Sequence, residues 1–600
     1  MAHFSDRRRA IVVLAGMVFA LATLAMLAPL AHSQTPRISR PGAYEGYDVE
    51  RFDGYVRTTR YVAARDGTRL AVTVYRPARA GATSAERLPV LFSFTPYLSR
   101  RIDESGQIIG TIERDSKRNR AFVDLTRYGY VVAVADVRGK GSSFGVRATY
   151  ADRLEGEDGY DLVEWLAAQP WADGKVGMFG CSYVGGTQWA TARNTPPSLK
   201  AIFPQAAQFD SYRNVRRGGI AGQFNTRPQD VREDLPTAPV DADVEGRLKT
   251  EALRQHERNG QMLDIASGLV YRDDRTADDV QYWPLSSPYP RIAQLRAAGI
   301  ATYSWGNWMD EPADQSLIGF ENLRGGRALT KLLMGPGGHC DTDTIDSFKE
   351  HLRFFDHVLK GVDNGIDREP QIAFKTIGLP EADAWRFADT FPPAAAERQR
   401  FYLASDGRFS TLPPDPKNDT YAVTYGVGCT PPAWSIPPTS GEEPIRVGPH
   451  VLPPPGYWAC LNARVAKTYA TEALPEDTWL TGFSVVALTL SSTSSEAYVF
   501  GYLEDVAPDD EATVIAHGRL LASQRRLGDA PYKNFGLPWS TGLRADAAPS
   551  SPDVSKPCCS SSAPLPVFSR PVTACACRSP APTSANATSL ASPWTGRPSG

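Results

Sequence analysis

The sequence KVGMFGCSYVGGTQW, residues 175–189, combines a short apolar run with a serine set among glycines. Its first part, KVGMF, predicts a strand buried on both faces, and the residues after Ser182 predict a helix. Ser182 therefore lies where a strand turns sharply into a helix, and the glycines allow these elements to approach each other closely. A serine in such a turn stands exposed above a sheet, so Ser182 is a candidate nucleophile.

The spacing of the glycines leaves a second interpretation open. A nucleophilic serine of this kind usually has one glycine two residues before it and another two residues after it. Gly180 meets the first condition, but Val184 occupies the second position and Gly185 comes one residue later. On spacing alone, a glycine-rich turn without chemistry therefore remains an alternative.

Apolar runs on both sides of this stretch predict a central sheet. Segments with helical spacing, such as residues 161–168, lie between them, and strands that alternate with helices indicate a parallel sheet of the α/β class. The other strands are predicted at 61–77 as a hairpin, and at 88–94, 130–137, 199–203, 300–305 and 328–334.

Two changes of pattern predict further domains. Residues 207–290 are rich in arginine, look mostly helical and are too long for an ordinary loop, so they predict an inserted helical cap. From residue 369, short strands and proline-rich turns predict an all-β domain. The expected domains are a signal peptide at 1–33, an α/β core at 34–206 and 291–368, the cap at 207–290, the β domain at 369–546 and a tail at 547–600.

A serine hydroxyl needs a general base, and the base needs an acid that orients it. His339 follows a predicted strand in the loop GPGGH, which puts its imidazole at the carboxyl edge of the sheet, so it is the candidate base. His351 and His357 lie on a predicted helix and are interpreted as packing or surface residues. Asp310 follows the strand that ends at Trp305, and it completes the chain order serine, aspartate, histidine that this sheet architecture uses.

Other residues near the site are candidates for the acid and for the oxyanion hole. Glu311 and Asp314 are neighbours of Asp310 that could take its place. Acyl transfer also needs hydrogen-bond donors for the negative charge that develops on the carbonyl oxygen. One candidate donor is the backbone N–H of Tyr183, directly after the serine. A second is the hydroxyl of Tyr97, for which core packing is the alternative.

Six motifs, in this order, resemble the cocaine esterase and X-prolyl dipeptidyl aminopeptidase family of serine hydrolases; they lie at 95–97, 135–142, 177–189, 306–310, 335–339 and 354–361. The resemblance covers roughly residues 45–545. It implies an α/β-hydrolase core with an inserted helical cap, followed by a C-terminal jelly-roll β domain. It also implies that Ser182, Asp310 and His339 form the triad. Tyr97 and the Tyr183 amide would then form the oxyanion hole.

Members of this family cleave esters of aromatic acids, amide side chains of β-lactam precursors, α-amino acid esters, or peptides after an N-terminal X-Pro. The amino-acid ester hydrolases of this family carry an acidic residue after the Ser-Tyr pair, whereas this chain has Val184. This difference weakens the case for a substrate that is recognised by its amine. Trp189, Trp305 and Trp308 could line an acyl pocket, although core packing is the more common role. We therefore expect an ester or amide with an apolar acyl group as the substrate. The alternatives are an X-Pro dipeptidyl aminopeptidase with the same triad and a catalytically inactive binding protein that uses the β domain.

Charge and composition limit the partners. The 65 basic and 67 acidic residues give a net charge of -2, which argues against a nucleic-acid binder. Because no phosphate loop or zinc-type cluster occurs in the sequence, no cofactor is expected, and the expected partner is a small ester, amide or short peptide. Glu155 and Asp158 are interpreted as helix-start residues favoured by the helix dipole. The oligomeric state stays open.

The N-terminal segment predicts export. Arginines at 7–9 precede an apolar run at 10–30, and small residues at 31 and 33 fit cleavage by a signal peptidase. We expect a periplasmic or secreted protein. An uncleaved N-terminal anchor is the alternative, and contact with a membrane is expected only in that case.

Export permits disulfides. Cys429 and Cys460 bracket a stretch rich in proline and glycine, and they are the favoured pair, with two free thiols as the alternative. Cys181 and Cys340 are interpreted as buried, small apolar residues.

The last segment changes character at about residue 547, where serine, proline, alanine and cysteine replace any strand periodicity. With GC-rich codons, a shift of one nucleotide in the reading frame over 568–586 yields an alternating strand-like sequence. The hypothesis is a frameshifted gene whose β domain lacks its last strands, and a natural disordered tail is the alternative.

Overall fold

The computed structural model describes residues 37–588 with gaps at 115–119, 148–152, 222–230, 261–267, 343–344, 416, 424–444, 448–449, 453–465, 509–511, 549–564 and 578–583. The predicted signal segment at 1–33 and the favoured cysteine pair, Cys429 and Cys460, lie outside the described residues, and both stay predictions. Within the part of the chain that is described, no helix is both long and apolar enough to span a bilayer.

Nine strands precede the first described α-helix, and helices lie among the strands from there to residue 388. The strands are β1 (Ile38–Arg40), β2 (Ala43–Glu45), β3 (Gly54–Ala63), β4 (Arg69–Arg79), β5 (Ala82–Thr83), β6 (Leu88–Thr95), β7 (Arg100–Ile102), β8 (Ile108–Gly110), β9 (Val131–Asp136), β10 (Ala172–Cys181), β11 (Leu199–Gln205), β12 (Arg216–Arg217), β13 (Ile220–Ala221), β14 (Ala301–Asn307), β15 (Thr330–Gly335), β16 (Ile372–Lys375) and β17 (Trp385–Ala388). The α-helices are α1 (Arg153–Ala167), α2 (Tyr183–Ala192), α3 (Ser211–Val215), α4 (Arg247–His256), α5 (Tyr282–Leu285), α6 (Ile292–Ala298), α7 (Ala313–Leu323), α8 (Ser347–Lys360) and α9 (Glu381–Ala384). Stretches of 3-10 helix lie at Thr111–Glu113, Phe122–Tyr128, Val231–Asp234, Tyr289–Arg291, Ala522–Gln524 and Arg544–Asp546.

The central sheet has the strand order β17-β16-β15-β14-β11-β10-β6-β9-β4-β3, with β5 paired to β4. Neighbouring strands are parallel from β9 across to β16, and β3, β4 and β17 join the sheet in antiparallel pairs. Each strand predicted for the core is present, including KVGMF within β10. Parallel strands bring their carboxyl ends to one edge, and the loops after β10, β14 and β15 therefore meet there.

Helices cover the two faces of this sheet. On one face Leu162 and Leu166 of α1 and Trp189 of α2 join the apolar side chains of the strands. On the opposite face Leu352 and Phe355 of α8 do so. Strand β6 is buried along its whole length, which is why its sequence is a continuous apolar run. Each large apolar side chain buried in these layers stabilises the fold by about 1.5–3 kcal/mol relative to an exposed one.

In its described residues, the insertion between β11 and α6 is less helical than predicted. Its longest described helix, α4, has 10 residues, and much of the rest is irregular. The Gly-Gly pair at 218–219 forms the turn between the antiparallel strands β12 and β13. Ion pairs between buried side chains hold the insertion together and to the core: Arg272 contacts Asp210 at 2.9 Å, and Lys140 contacts Asp234 at 2.8 Å. The predicted domain boundaries stay predictions.

The C-terminal part of the chain consists mostly of strands, as expected. They are β18 (Tyr402–Leu403), β19 (Phe409–Ser410), β20 (Ile445–Val447), β21 (His450–Leu452), β22 (Thr468–Ala470), β23 (Thr478–Leu488), β24 (Tyr498–Val506), β25 (Ala512–Leu521), β26 (Leu565–Cys577) and β27 (Ser584–Thr588). Strands β24 and β25 form a long antiparallel pair, and β25 also pairs in parallel with β21.

The segment expected to be a tail contains two of these strands. Strand β26 pairs antiparallel with β23, and β27 pairs antiparallel with both β22 and β24. This differs from the expectation that the β domain ends without its last strands. The physical reason is that open strand edges offer unpaired N–H and C=O groups to any extended backbone, whatever its side-chain pattern. The frameshift hypothesis concerns the gene and stays a prediction.

Candidate active site

The candidate nucleophile stands at the turn between β10 and α2. Ser182 has a φ of 63°, which L-residues rarely adopt. Its N–H donates to the carbonyl of Gln205 at 2.9 Å, and its own carbonyl accepts from the N–H groups of Gly185 at 2.9 Å and Gly186 at 3.0 Å. These hydrogen bonds begin the helix at once, so the chain turns within one residue and the serine side chain projects from the sheet edge.

The unusual glycine spacing has a steric explanation. A Cβ added at Gly180 would lie 2.3 Å from the side chain of Val184, and a Cβ added at Gly185 would lie 2.5 Å from the carbonyl oxygen of Gln205. The closest approach between α2 and β11 therefore falls at position 185 and not at 184. The turn keeps its geometry with the shifted glycine, so the spacing is no argument against a nucleophile.

The three residues predicted as nucleophile, base and acid lie in contact. His339 Nε2 is 2.8 Å from Ser182 Oγ, and His339 Nδ1 is 2.8 Å from Asp310 Oδ1. The Asp310 side chain is 2% exposed, whereas that of His339 is 46% exposed. With Asp310 ionised, the Nδ1–H of His339 donates to the carboxylate, and Nε2 is left to accept the serine proton.

The charge of Asp310 governs the protonation of His339. Partial desolvation lowers the pKa of His339, but the charge and the hydrogen bond of Asp310 outweigh it, and the pKa is raised above the ordinary value. The carboxylate thereby stabilises the imidazolium that forms when the base takes a proton.

The alternative acids have other partners. Asp314 is buried between Arg213 at 2.7 Å and Arg217 at 2.9 Å. Burial raises the pKa of Asp314, but the two guanidinium groups outweigh it and hold the pKa well below its usual range. Glu311 contacts Arg519 at 3.3 Å. Of the three acids, Asp310 is the one that the structure joins to His339 by a hydrogen bond.

The other two histidines of the core pack as interpreted. His351 is buried, its Nδ1 lies 2.6 Å from the carbonyl oxygen of Ser347, and its ring stacks on Phe203 with a centroid distance of 3.9 Å. Burial lowers the pKa of His351 to about 4. His357 Nδ1 lies 3.2 Å from the carbonyl oxygen of Val362.

Two tyrosines flank the serine. The Tyr97 hydroxyl lies 3.4 Å from Ser182 Oγ, and Tyr97 is 54% exposed, so it is not a core-packing residue. Tyr183 is the first residue of α2, and its ring meets that of Tyr97 edge to face at a centroid distance of 6.4 Å. The Tyr183 N–H follows Ser182 directly and lies at the N-terminus of α2, where the helix dipole favours a negative charge.

Glu155 and Asp158 do more than begin a helix. Both are buried in the first turns of α1. The Tyr183 hydroxyl donates to Glu155 Oε2 at 2.5 Å, and Arg138 binds Asp158 through two hydrogen bonds of 2.6 Å and 2.9 Å. Both residues lie at the start of the helix, as interpreted, and they also bind side chains of neighbouring elements. The signal in the sequence is the Gly156 and Gly159 pair, which marks the face of α1 that packs directly on α2.

The three tryptophans near the motifs belong to the hydrophobic core. Trp189, Trp305 and Trp308 are 4%, 0% and 3% exposed, and each lies in a different cluster of buried side chains. The indole N–H of Trp308 donates to the carbonyl of Lys375 at 2.8 Å. These tryptophans are therefore core-packing residues, and they do not line an acyl pocket.

The interpretation of Cys181 and Cys340 as buried small apolar residues is wrong, because their sulfurs form a disulfide. The Cα atoms are 5.8 Å apart, and 159 positions separate the two residues in sequence. Neither residue is fully buried. Each is the chain neighbour of a residue in the site, so the contact between Ser182 and His339 also brings the cysteines together. Spacing along the sequence contains no sign of such a pair.

Over the described ranges, no group of three or more histidine, cysteine, aspartate or glutamate side chains has the geometry to hold a metal ion.

Sequence comparisons agree with the two-part architecture. Residues 66–341 match the family described as X-Pro dipeptidyl-peptidase (S15 family), and residues 364–554 match the X-Pro dipeptidyl-peptidase C-terminal non-catalytic domain. A protein from Mycobacterium bovis named as a serine esterase is 31% identical over 566 residues, which cover 83% of this chain and 86% of the relative. The cocaine esterase of Rhodococcus sp. strain MB1 Bresler is 26% identical over 498 residues, covering 76% and 81%.

Solved structures share the fold. A CocE/NonD family hydrolase from Staphylococcus aureus superposes with a TM-score of 0.62 at 17% identity, over 90% of this chain and 87% of that one. An α-amino acid ester hydrolase superposes with a TM-score of 0.59, also at 17% identity, over 94% and 93%. Both likenesses concern the arrangement of the chain and not the substrate.

Proposed function

The chain belongs to the X-Pro dipeptidyl-peptidase and cocaine esterase family of serine hydrolases, and we propose that it cleaves small esters or amides through an acyl-enzyme on Ser182. The observation that carries the proposal is the continuous contact from Ser182 Oγ through His339 to Asp310, with 2.8 Å at each step. A histidine within hydrogen-bond reach of a serine, and itself oriented by a buried carboxylate, is the arrangement that activates a hydroxyl nucleophile.

The reaction would proceed in two halves. Ser182 Oγ attacks the substrate carbonyl carbon while His339 Nε2 takes the hydroxyl proton, and the carbonyl oxygen becomes an oxyanion. The Tyr97 hydroxyl and the Tyr183 N–H would donate hydrogen bonds to that oxygen. His339 returns the proton to the leaving alcohol or amine, and the acyl group stays on Ser182. A water then attacks this ester while giving a proton to His339, and His339 returns that proton to Ser182 Oγ as the acid leaves.

An apolar acyl group is the substrate feature that we propose. Val184 follows the Ser-Tyr pair, it is buried, and its side chain faces Gly180, so this position offers no charge to a substrate ammonium. An enzyme that requires a free amine gains affinity from such a charge. The relatives named Xaa-Pro dipeptidyl-peptidase make X-Pro peptides the competing substrate class for the test.

Activity-based labelling tests the reaction. The purified protein is incubated with a fluorophosphonate and digested, and the modified peptide is identified by mass spectrometry. We expect the label on Ser182, no label in Ser182→Ala, and loss of labelling in His339→Ala. Labelling of another residue, or of none in folded protein, would overturn the proposal.

Substrate class is tested with three chromogenic compounds under equal conditions: a p-nitrophenyl ester of an apolar acid, a free X-Pro p-nitroanilide and its N-acetylated form. We expect the ester to have the highest kcat/KM. A preference for the free X-Pro compound over both others would instead assign the peptidase activity.

We also propose that the protein acts outside the cytoplasm. The apolar segment at 10–30 supports this, and so does the disulfide between Cys181 and Cys340, because disulfides persist in oxidising compartments. The mass of the mature N-terminal peptide from the periplasm or the culture medium tests it. Recovery of the uncleaved chain from the cytoplasm would contradict the proposal.

A further inference from the structure

The loop that presents His339 is bound tightly to the loop that presents Asp310. Trp308 N–H donates to the carbonyl of Gly335 at 2.8 Å, and Met309 N–H donates to the carbonyl of Gly337 at 3.0 Å. The Asn307 side-chain amide donates to two further carbonyls of the histidine loop, those of Gly338 and Asp341, at 2.8 Å each. The contact between His339 and Asp310 is therefore supported by hydrogen bonds along both loops.

The contact between His339 and Ser182 has a different support. Ser182 follows β10 and His339 follows β15, and strands β11 and β14 lie between them in the sheet. Because neighbouring strands are about 4.8 Å apart, the axes of β10 and β15 are separated by roughly 14 Å. The histidine loop has to fold back across the sheet edge to reach the serine. The disulfide between Cys181 and Cys340 joins the two loops at that point, with its Cα atoms 5.8 Å apart.

The backbone at Cys340 has a conformation that L-residues rarely adopt. Cys340 has a φ of 59°, in the left-handed region that favours glycine, and the preceding loop is rich in glycine. A cysteine at such a position costs conformational energy that a glycine would not. The bond to Cys181 is an interaction that a glycine at this position could not make.

We propose that the Cys181–Cys340 disulfide is a positioning device for the catalytic pair, so that its reduction slows the hydrolase without removing the fold. The inference rests on the proposed function of Ser182 and His339. Reduction by a dithiol transfers two electrons and two protons: the S–S bond breaks, two thiols form, and the dithiol becomes a cyclic disulfide. Without the bond, the His339 loop stays attached to the Asp310 loop but is free to move away from Ser182.

The experiment begins with the oxidised, full-length protein. Peptide mapping after alkylation establishes the Cys181 to Cys340 link, and kcat and KM are measured with the p-nitrophenyl ester before and after treatment with dithiothreitol. A displacement of about 1 Å at a catalytic group costs on the order of 10²-fold in rate, so we expect kcat to fall at least ~10-fold with KM within ~3-fold. Near-UV circular dichroism should stay native, and reoxidation should restore kcat.

Two double variants separate this bond from the other cysteines. Cys181→Ser/Cys340→Ser should have the low kcat of the reduced protein and no further response to dithiothreitol. The matched control, Cys429→Ser/Cys460→Ser, should lose kcat on reduction to the same extent as the parent. If the first variant does not fold, reduction of the folded parent decides the question.

The outcomes are distinguishable from those of the proposed function. An oxidised parent that neither hydrolyses esters nor labels at Ser182 overturns the proposed function, and this inference with it. An active parent whose kcat is unchanged after verified reduction of the Cys181–Cys340 bond overturns the inference alone. A loss of kcat that reduction also causes in the Cys181→Ser/Cys340→Ser variant assigns the effect to another bond and overturns it too.

Discussion

Ser182 and His339 meet at one edge of the sheet, but the residues that hold Ser182 are mostly close to it in sequence, whereas those that hold His339 are distant. The serine turn depends largely on residues close in sequence: the glycines at 180 and 185 provide the space, and the N–H groups of Gly185 and Gly186 bond to the Ser182 carbonyl. The histidine loop depends on residues far away in sequence. Hydrogen bonds from the loop at 307–309 hold one side of it, and a disulfide to Cys181 holds the other.

This difference explains why the nucleophile is easier to find than its partners. A turn built from neighbouring residues leaves a motif in the sequence, whereas a loop held by distant residues leaves only a histidine after a strand. The local turn should therefore respond to steric changes, and the distant contacts should respond to changes of charge and of covalent linkage.

The largest expected effect follows from removing the charge on which His339 depends. Asp310→Asn keeps the size of the side chain but loses the carboxylate that orients Nδ1–H and stabilises the imidazolium, so we expect kcat to fall by ~10⁴-fold with little change in KM. Steady-state kinetics with a p-nitrophenyl ester measures this, and the melting temperature of the variant is the control for folding. A loss below about 10-fold would mean that another acid, such as Glu311, serves the histidine.

A smaller effect is expected at the proposed oxyanion site. Tyr97→Phe removes one hydroxyl 3.4 Å from Ser182 Oγ and leaves the ring in place. Loss of one oxyanion donor costs about 10²–10³-fold in kcat, and we expect that range here. Because the ground-state carbonyl needs the hydroxyl less than the oxyanion does, KM should change little. An unchanged kcat would show that Tyr97 lines the site without donating a hydrogen bond to the oxyanion.

The local turn offers a matched pair of substitutions. Gly185→Ala would place a Cβ 2.5 Å from the carbonyl oxygen of Gln205, a backbone atom that cannot turn away. Gly186→Ala would place one 3.3 Å from the end of the flexible Gln208 side chain. We expect Gly185→Ala to destabilise the protein by about 1–3 kcal/mol and to lower kcat by about 10-fold, since overpacking moves α2 and Ser182 with it.

Gly186→Ala is the control, and it should leave both stability and kcat close to the parent values because alanine is favoured within a helix. Thermal or urea unfolding and ester hydrolysis measure the pair. Equal effects of the two substitutions would contradict the steric account of the shifted glycine.

The features that could be predicted from the sequence are those that depend on residues close together in the chain. The buried strands were predictable because a strand covered on both faces requires an unbroken apolar run, as in LPVLFSF of β6. The contacts of the acidic residues in α1 could not be predicted, because Glu155 pairs with a tyrosine that follows it by 28 positions in sequence. Two cysteines 159 positions apart likewise leave no mark of their bond.

The strands at 565–577 and 584–588 were missed for a different reason. Backbone pairing with β23 and β24 places them in the β domain, and a side-chain pattern cannot report backbone pairing. The described part of the insertion is less helical than expected because arginine and alanine favour helices only locally, while buried ion pairs, such as Lys140 with Asp234, fix the path of the chain.

The smallest expected effect concerns a charge near the histidine loop that does not touch the serine. The largest effects on the pKa of His339 are partial desolvation, which lowers the pKa, and Asp310, which raises it. The charge of Glu311 makes a smaller contribution that also raises the pKa. The base has to be unprotonated, so activity is gained as the pH rises through this pKa. Glu311→Gln removes one negative charge, lowers the pKa of His339 and should move the acid limb of the kcat/KM profile to lower pH, by less than Asp310→Asn does. A limb that moves to higher pH would contradict the charge effect of Glu311, and a limb that moves further than in Asp310→Asn would contradict the assignment of Asp310 as the main partner of His339.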